Sequence, residues 1–196
     1  MTARLLIGSG NPDKLVEYLE ILAGLDLELV APADLDPAPP EPPEEAATFE
    51  ENARSKALGY ARATGLPTVA DDSGLEVAAL RGAQGVRSRR LFGDGATAAE
   101  RNAKLLALLD GVADRTARFV CVAALAFPDG RTEQFRGECP GAIGDAPRGT
   151  NGFGYDPVFV LADGRTMAEL PSAEKHRLSH RGRAGQLLRA RLARDL

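Results

Sequence analysis

Apolar residues along the chain alternate between short unbroken runs and stretches with helical spacing. Leu5-Leu6-Ile7 reads as a buried strand, and Leu15, Tyr18, Leu19 and Leu22 then fall at i, i+3, i+4 and i+7 of one helix face. Asn11 suits the N-cap of that helix, Pro12 its first position, and Gly24 its end. Leu27–Val30 makes a second strand. Thr48 and Glu51 form a capping box that opens a helix running to about Thr64 and stopping at Gly65. Thr68-Val69-Ala70 reads as a strand delivered from the interior into a turn made by Asp71, Asp72, Ser73 and Gly74. A second capping box, Thr97 with Glu100, precedes a helix with a broad apolar face of Leu105, Leu106, Leu108 and Leu109, before Gly111. Phe119 to Phe127 does not alternate, as expected of a central strand covered on both sides, and Pro128-Asp129-Gly130 turns it into a hairpin with Thr132 to Arg136. Near the C-terminus Ser179 suits an N-cap, with Ala184, Leu187, Leu188 and Leu192 lining the last helix. Strands mixed with helices give an α/β fold.

Three stretches break the pattern. Residues 31–47 carry six prolines among acids, so neither a helix nor a central strand persists there and a surface loop is expected. Arg81, Gly82, Gly85, Arg87, Arg89, Arg90 and Gly93 make an irregular basic stretch. Residues 148–157 place Gly149, Gly152 and Gly154 around Asn151, Phe153 and Tyr155, freeing the backbone for close approach to a ligand and offering Phe153 as a stacking face. The competing reading is a glycine-rich turn whose Phe and Tyr tuck into the core.

A chain of 196 residues with 44% hydrophobic and 27% charged residues suits one domain with an ample core. Its formal net charge of -4 argues against a nucleic-acid or membrane-surface binder. That average hides an asymmetry: residues 32–51 hold seven acids and no base, while residues 171–196 carry a formal +5. Cys121 in an apolar run and Cys139 before a proline form no disulfide framework and fit a reducing compartment. With no apolar run long enough to span a bilayer and no leader, a cytoplasmic protein is expected.

The chemistry follows from these placements. A strand that feeds Gly8-Ser9-Gly10-Asn11 into a helix beginning at Pro12 and Asp13 aims free N–H groups at one point, and Lys14 adds a full charge. Adjacent carboxylates at Asp71 and Asp72 call for a cation, and hard oxygen ligands suit Mg²⁺; the plain reading is an Asx turn capping a strand. Lys56, two turns into its helix, is within reach of a phosphate if a binding site lies beside it. Lys175, His176, Arg177, Ser179, His180 and Arg181 concentrate donors, but two histidines without a third ligand make zinc a poor fit.

Five motifs then occur in order: Ser9-Gly10-Asn11 with Lys14; Thr48-Phe49 with Glu51-Asn52-Ala53, Lys56 and Ala57; Ala70-Asp71-Asp72-Ser73-Gly74; Gly152-Phe153-Gly154-Tyr155-Asp156-Pro157; and Lys175 with Ser179-His180-Arg181. Together they resemble the inosine/xanthosine triphosphate pyrophosphatase family over essentially the whole chain. The resemblance implies an elongated mixed-sheet α/β fold with two lobes around a central cleft, a homodimer, and Mg²⁺-dependent cleavage of a deaminated purine nucleoside triphosphate to monophosphate and pyrophosphate.

Carried over by motif, the resemblance makes Asp72 the catalytic carboxylate and a metal ligand. It assigns substrate binding to Ser9, Gly10, Asn11, Pro12, Asp13, Lys14, Lys56, Ser73, Phe153, Gly154, Tyr155, Asp156, Lys175, His180 and Arg181. Phe153 would stack the purine, and Ser179 to Arg181 would read its edge. Ser9 stands where the family usually has Thr. The acidic segment before Thr48 is one residue shorter than the common spacing, so Glu44 and Glu45 both remain candidates for the metal-associated glutamate, Glu45 being the match if the paired glutamates are kept aligned. Two other readings stay open: a pyrophosphatase for modified pyrimidine or ordinary nucleotides, and a module that binds nucleotide without turnover.

Overall fold

The computed structural model describes residues 3–80, 85 and 95–194. Arg81, Gly82, Arg87, Arg89, Arg90 and Gly93 of the basic stretch lie outside the described residues. Among the described residues, six strands form one sheet in the order β2-β1-β3-β4-β5-β6. They are β1 (Ala3–Ile7), β2 (Leu27–Val30), β3 (Thr68–Val77), β4 (Thr116–Ala126), β5 (Thr132–Ile143) and β6 (Phe159–Val160). β1 pairs parallel with both β2 and β3, in register Leu5 to Leu29 and Ile7 to Val69, whereas β5 and β6 pair antiparallel. The sheet is therefore mixed, as expected. Among the described residues five α-helices accompany it: α1 (Pro12–Ile21), α2 (Phe49–Thr64), α3 (Ala98–Leu108), α4 (Ser172–Leu178) and α5 (His180–Leu192).

Local signals placed the helix starts. Asn11 accepts from the Asp13 amide at 2.9 Å with Pro12 at the first helical position of α1, Thr48 accepts from the Glu51 amide at 3.2 Å, and Thr97 with Glu100 forms a reciprocal capping box. Gly65 ends α2 in the left-handed conformation, with φ 70°.

The chain divides into two compact units, one from Met1–Asp72, Cys121–Gly137 and Arg181–Leu196, the other from Ser73–Val120 and Glu138–His180. Each has its own apolar centre. In the first, Leu5, Ile7, Tyr18, Leu22, Val69, Cys121, Leu125 and Leu188 pack together. In the second, Leu75, Leu105, Leu109, Phe119, Ile143, Val158, Phe159, Met167 and Leu170 do so. No helix among the described residues is long and apolar enough to cross a membrane.

Four expectations are corrected. Asp71 to Gly74 form no turn: β3 runs unbroken through them. β5 continues past Arg136 through Cys139 and Pro140. Leu19, Leu108 and Leu187 are exposed, since α1, α3 and α5 bury narrower stripes than their leucine content suggested. A separate helix, α4, precedes Ser179 and carries Lys175.

Candidate active site

Because β3 is a continuous strand, its side chains alternate between the two faces of the sheet, and neighbouring Asp71 and Asp72 point to opposite sides. Their surroundings differ accordingly. Asp71 is 1% exposed. Its Oδ1 lies 2.9 Å from Lys14 Nζ, its Oδ2 accepts from Arg181 at 2.9 Å, and the Cys121 thiol donates to Oδ2 at 3.3 Å. Arg181 is equally buried and donates to Glu17 of α1 at 2.6 Å. Burial opposes ionisation of Asp71, but Arg181 and Lys14 outweigh it and hold its carboxyl well below the usual carboxylate range.

Asp72 is also buried. Its Oδ2 accepts from Asn52 Nδ2 at 2.9 Å. Burial pushes its carboxyl up to about 6; the Asn52 hydrogen bond works against that rise, and the nearby Glu44 charge reinforces it. Asn52 also accepts from the Ala46 amide at 2.8 Å, so one side chain ties the start of α2, the end of the proline-rich loop and Asp72 together. From one turn further along α2, Lys56 donates to Glu44 at 2.7 Å and lies 3.0 Å from Glu41. Burial disfavours its charge, yet the two carboxylates keep its pKa above the ordinary lysine value. Glu44 is half-buried in this cluster and Glu45 is exposed.

The loop before α1 is held by its own polar groups. The Asn11 amide donates to Ser9 Oγ at 3.2 Å, and the Gly8 amide donates to the Val69 carbonyl at 2.7 Å. Ser9 is buried, Gly10, Pro12 and Asp13 are exposed, and Asn11 and Lys14 are half-buried. The first unit thus brings together Ser9 to Lys14, Lys56, Glu44, Asp72 and Arg181.

Mg²⁺ ordinarily takes one or two protein carboxylates and completes its shell with water and substrate phosphate. The residues fit that demand: Asp72 is a buried carboxylate whose ionisation is raised in cost by a neighbouring negative charge, which a divalent cation would reverse. Among the described residues no three His, Cys, Asp or Glu side chains converge on a closed cage.

The second unit holds the glycine-rich segment. Asp156, 3% exposed, accepts from the Phe153 amide at 2.8 Å and from Lys175 Nζ at 2.6 Å. Lys175 Nζ also lies 4.9 Å from the centre of the Phe153 ring. Gly152, at φ 71°, is where a Cβ would strike the Asp156 carboxylate, so glycine is required on both counts. The Gly154 carbonyl accepts from Asn102 of α3 at 3.1 Å. Phe153 is half-buried, while Tyr155 joins the apolar centre of this unit. Ser73 is half-buried on β3. His180 stacks on Phe119 at 4.6 Å between ring centres.

Sequence reasoning missed the partners that hold these groups. Glu17 is hidden on a helix read only for its apolar face, Cys121 reads only as part of an apolar run, Asn52 stands in its motif without an assigned role, and Asn102 carries no local signal beyond a polar position on a helix.

Residues 5–191 match the model of the Ham1 family. A dITP/XTP pyrophosphatase from Geobacter sulfurreducens is 50% identical over 192 residues, covering 96% of both chains. A protein of the same name from Syntrophobacter fumaroxidans is 51% identical over 93% of this chain and 78% of its own. The structure of a HAM1 protein from Coxiella burnetii superposes with a TM-score of 0.88 at 41% identity, covering 98% of this chain and 99% of that one. The chain belongs to the Ham1 family.

Proposed function

We propose that this protein is a nucleoside triphosphate pyrophosphatase that hydrolyses deaminated purine nucleotides, ITP, dITP and XTP, to the monophosphate and pyrophosphate in the cytoplasm. The observation that carries the reading is the pair of buried carboxylates on opposite faces of β3: Lys14 and Arg181 hold Asp71 ionised, whereas burial raises Asp72 to about 6, which suits an acid that exchanges a proton. Relatives at about half identity bear the name dITP/XTP pyrophosphatase.

The N–H groups where Gly10 and Asn11 lead into α1, with Lys14 and Lys56, bind the phosphates, helped by the positive end of the helix dipole. Asp72 orients the water that attacks the α-phosphorus and takes its proton, a role suited to a carboxylate with a pKa of about 6. When bound, Mg²⁺ supplies charge neutralisation on the phosphate oxygens and leaving group, with Asp72 and Glu44 as the residues that would hold it. Glu44 is preferred over Glu45 because it is the half-buried one and acts electrostatically on Asp72.

Phe153 stacks the purine and Lys175 donates at its edge, with His180 at the start of α5. A donor-lined edge favours the 6-oxo group of hypoxanthine and xanthine over the 6-amino group of adenine, since a buried donor left facing a donor is costly. Activity is expected in a homodimer, without nucleic acid or membrane. The test is pyrophosphate release from ITP, XTP, GTP and ATP with Mg²⁺ present and withheld. Values of kcat/KM for ITP and XTP far above that for ATP are expected. Equal values for ITP and ATP would remove the base-reading assignment, and binding without turnover would make the protein a nucleotide sensor.

A further inference from the structure

The proline-rich loop between β2 and α2 is fastened where α2 has no side chain. A Cβ on Gly59 would come within 2.7 Å of Pro42 Cγ, so the loop rests directly on the helix backbone at that point. The docking fixes the residue before it. Glu41 Oε1 lies 3.0 Å from Lys56 Nζ, and Oε2 is 2.8 Å from where a Cβ on Gly10 would stand. One carboxylate therefore covers the backbone of Gly10 and holds the ammonium of Lys56, the two groups assigned above to phosphate. A carboxylate bridging a lysine and an N–H-rich loop has the charge and reach of two oxygens of a phosphate group.

Lys56 is 4% exposed, and its ammonium is shared with Glu44 at 2.7 Å. Two acids on one cation leave the cluster with a formal charge of -1, the wrong sign for a polyanionic ligand. Glu44 is the more enclosed partner, with its side chain 29% exposed against 54% for Glu41. Glu41 is thus the partner that can leave at least cost, because its carboxylate regains water when it swings out.

We propose that Glu41 is an affinity-setting residue of the phosphate site, a resident carboxylate that substrate phosphate displaces from Lys56 and Gly10. The inference rests on the proposed assignment of phosphate to those two residues. Displacement favours ligands with the most negative charge, so a triphosphate competes with Glu41 better than a monophosphate does, and the enzyme is spared inhibition by its own nucleotide product.

The test uses the full chain and inorganic tripolyphosphate, pyrophosphate and IMP as probes in titration calorimetry, with steady-state kinetics on ITP. Glu41→Gln is expected to bind tripolyphosphate and pyrophosphate about threefold to tenfold tighter than wild type, the range that follows from removing one partly exposed competing charge. KM for ITP should fall in parallel, kcat should stay within about twofold, and IMP should become a stronger competitive inhibitor. Glu41→Asp, which keeps the charge, should bind the probes much as wild type does. If wild type binds tripolyphosphate and Glu41→Gln binds it no tighter or more weakly, Glu41 only fastens the loop and the proposal fails alone. If wild type binds no polyphosphate, the phosphate assignment of Lys56 and Gly10 fails with it.

Discussion

Arg181 donates to Asp71 at 2.9 Å across 110 residues of sequence, and the same Asp71 carboxylate holds Lys14 on its other oxygen. The side chain proposed to bind phosphate is therefore aimed by an acid that itself stays out of the chemistry, and that acid is in turn fixed by the first turn of α5.

Removing the charge of Asp71 is expected to be strongly destabilising. Asp71→Asn leaves Arg181, 1% exposed, with one carboxylate fewer in a site that water cannot reach, and breaking a buried pair in this way costs about 3 to 5 kcal/mol. The sign with pH follows from the depressed carboxyl pKa. Its stabilisation is present above the unfolded value, near 3.8, and is lost as the solution is acidified toward the folded value. Denaturant titrations at pH 7 should give a large loss of stability that shrinks toward pH 2.

The neighbouring substitution should act in the opposite direction. Asp72 rises from 3.8 to about 6 on folding, so its contribution is present below pH 3.8 and is lost as pH rises through 6, on the order of 3 kcal/mol across the window. Asp72→Asn is expected to raise Tm at pH 8 in the absence of divalent cations, with no gain near pH 3.5, while abolishing pyrophosphate release. A variant that is both more stable and inactive is the signature to look for; retained turnover at saturating Mg²⁺ would exclude Asp72 from the reaction.

Lys14→Ala removes one charge-assisted phosphate contact, worth roughly 1.5 to 3 kcal/mol. KM for ITP should rise by about tenfold or more, and binding of tripolyphosphate should weaken by the same factor. Unchanged KM and kcat would rule out the loop before α1 as the phosphate site.

Phe153→Ala tests the other unit separately. Loss of base stacking should cost about 1 to 3 kcal/mol in nucleotide affinity. Tripolyphosphate has no base, so its binding should stay at the wild-type value; a parallel loss for both ligands would mean that Phe153 supports the fold rather than the purine.

The helix starts were legible because their signals are local: Asn11 with Pro12, Thr48 with Glu51, and Thr97 with Glu100 each complete a cap within four residues. The site residues were legible as motifs, but their division of labour was not. Asp71 and Asp72 looked like a matched pair in a turn because Asp, Ser and Gly are turn formers. What overrides that propensity is tertiary. Lys14, Arg181 and Asn52 arrive from three distant segments and satisfy both carboxylates in an extended chain, and nothing within ten residues of Asp72 announces them. Leu187 was misplaced for the converse reason, since helical spacing says which residues share a face but not how wide a stripe the neighbours will cover.

The pleat of β3 also sets what kinds of change this gene can absorb. A residue inserted ahead of Asp71 would put Ala70 opposite Lys14 and Asp71 in the place of Asp72, whereas one deleted there would put Asp72 opposite Lys14 and Ser73 in the place of Asp72. An insertion would thus cost the stabilising acid and a deletion the reactive one, although neither residue itself had been altered. Among homologues, gaps should therefore be absent from this segment and accumulate instead where the chain runs without pairing, as in residues 35–40.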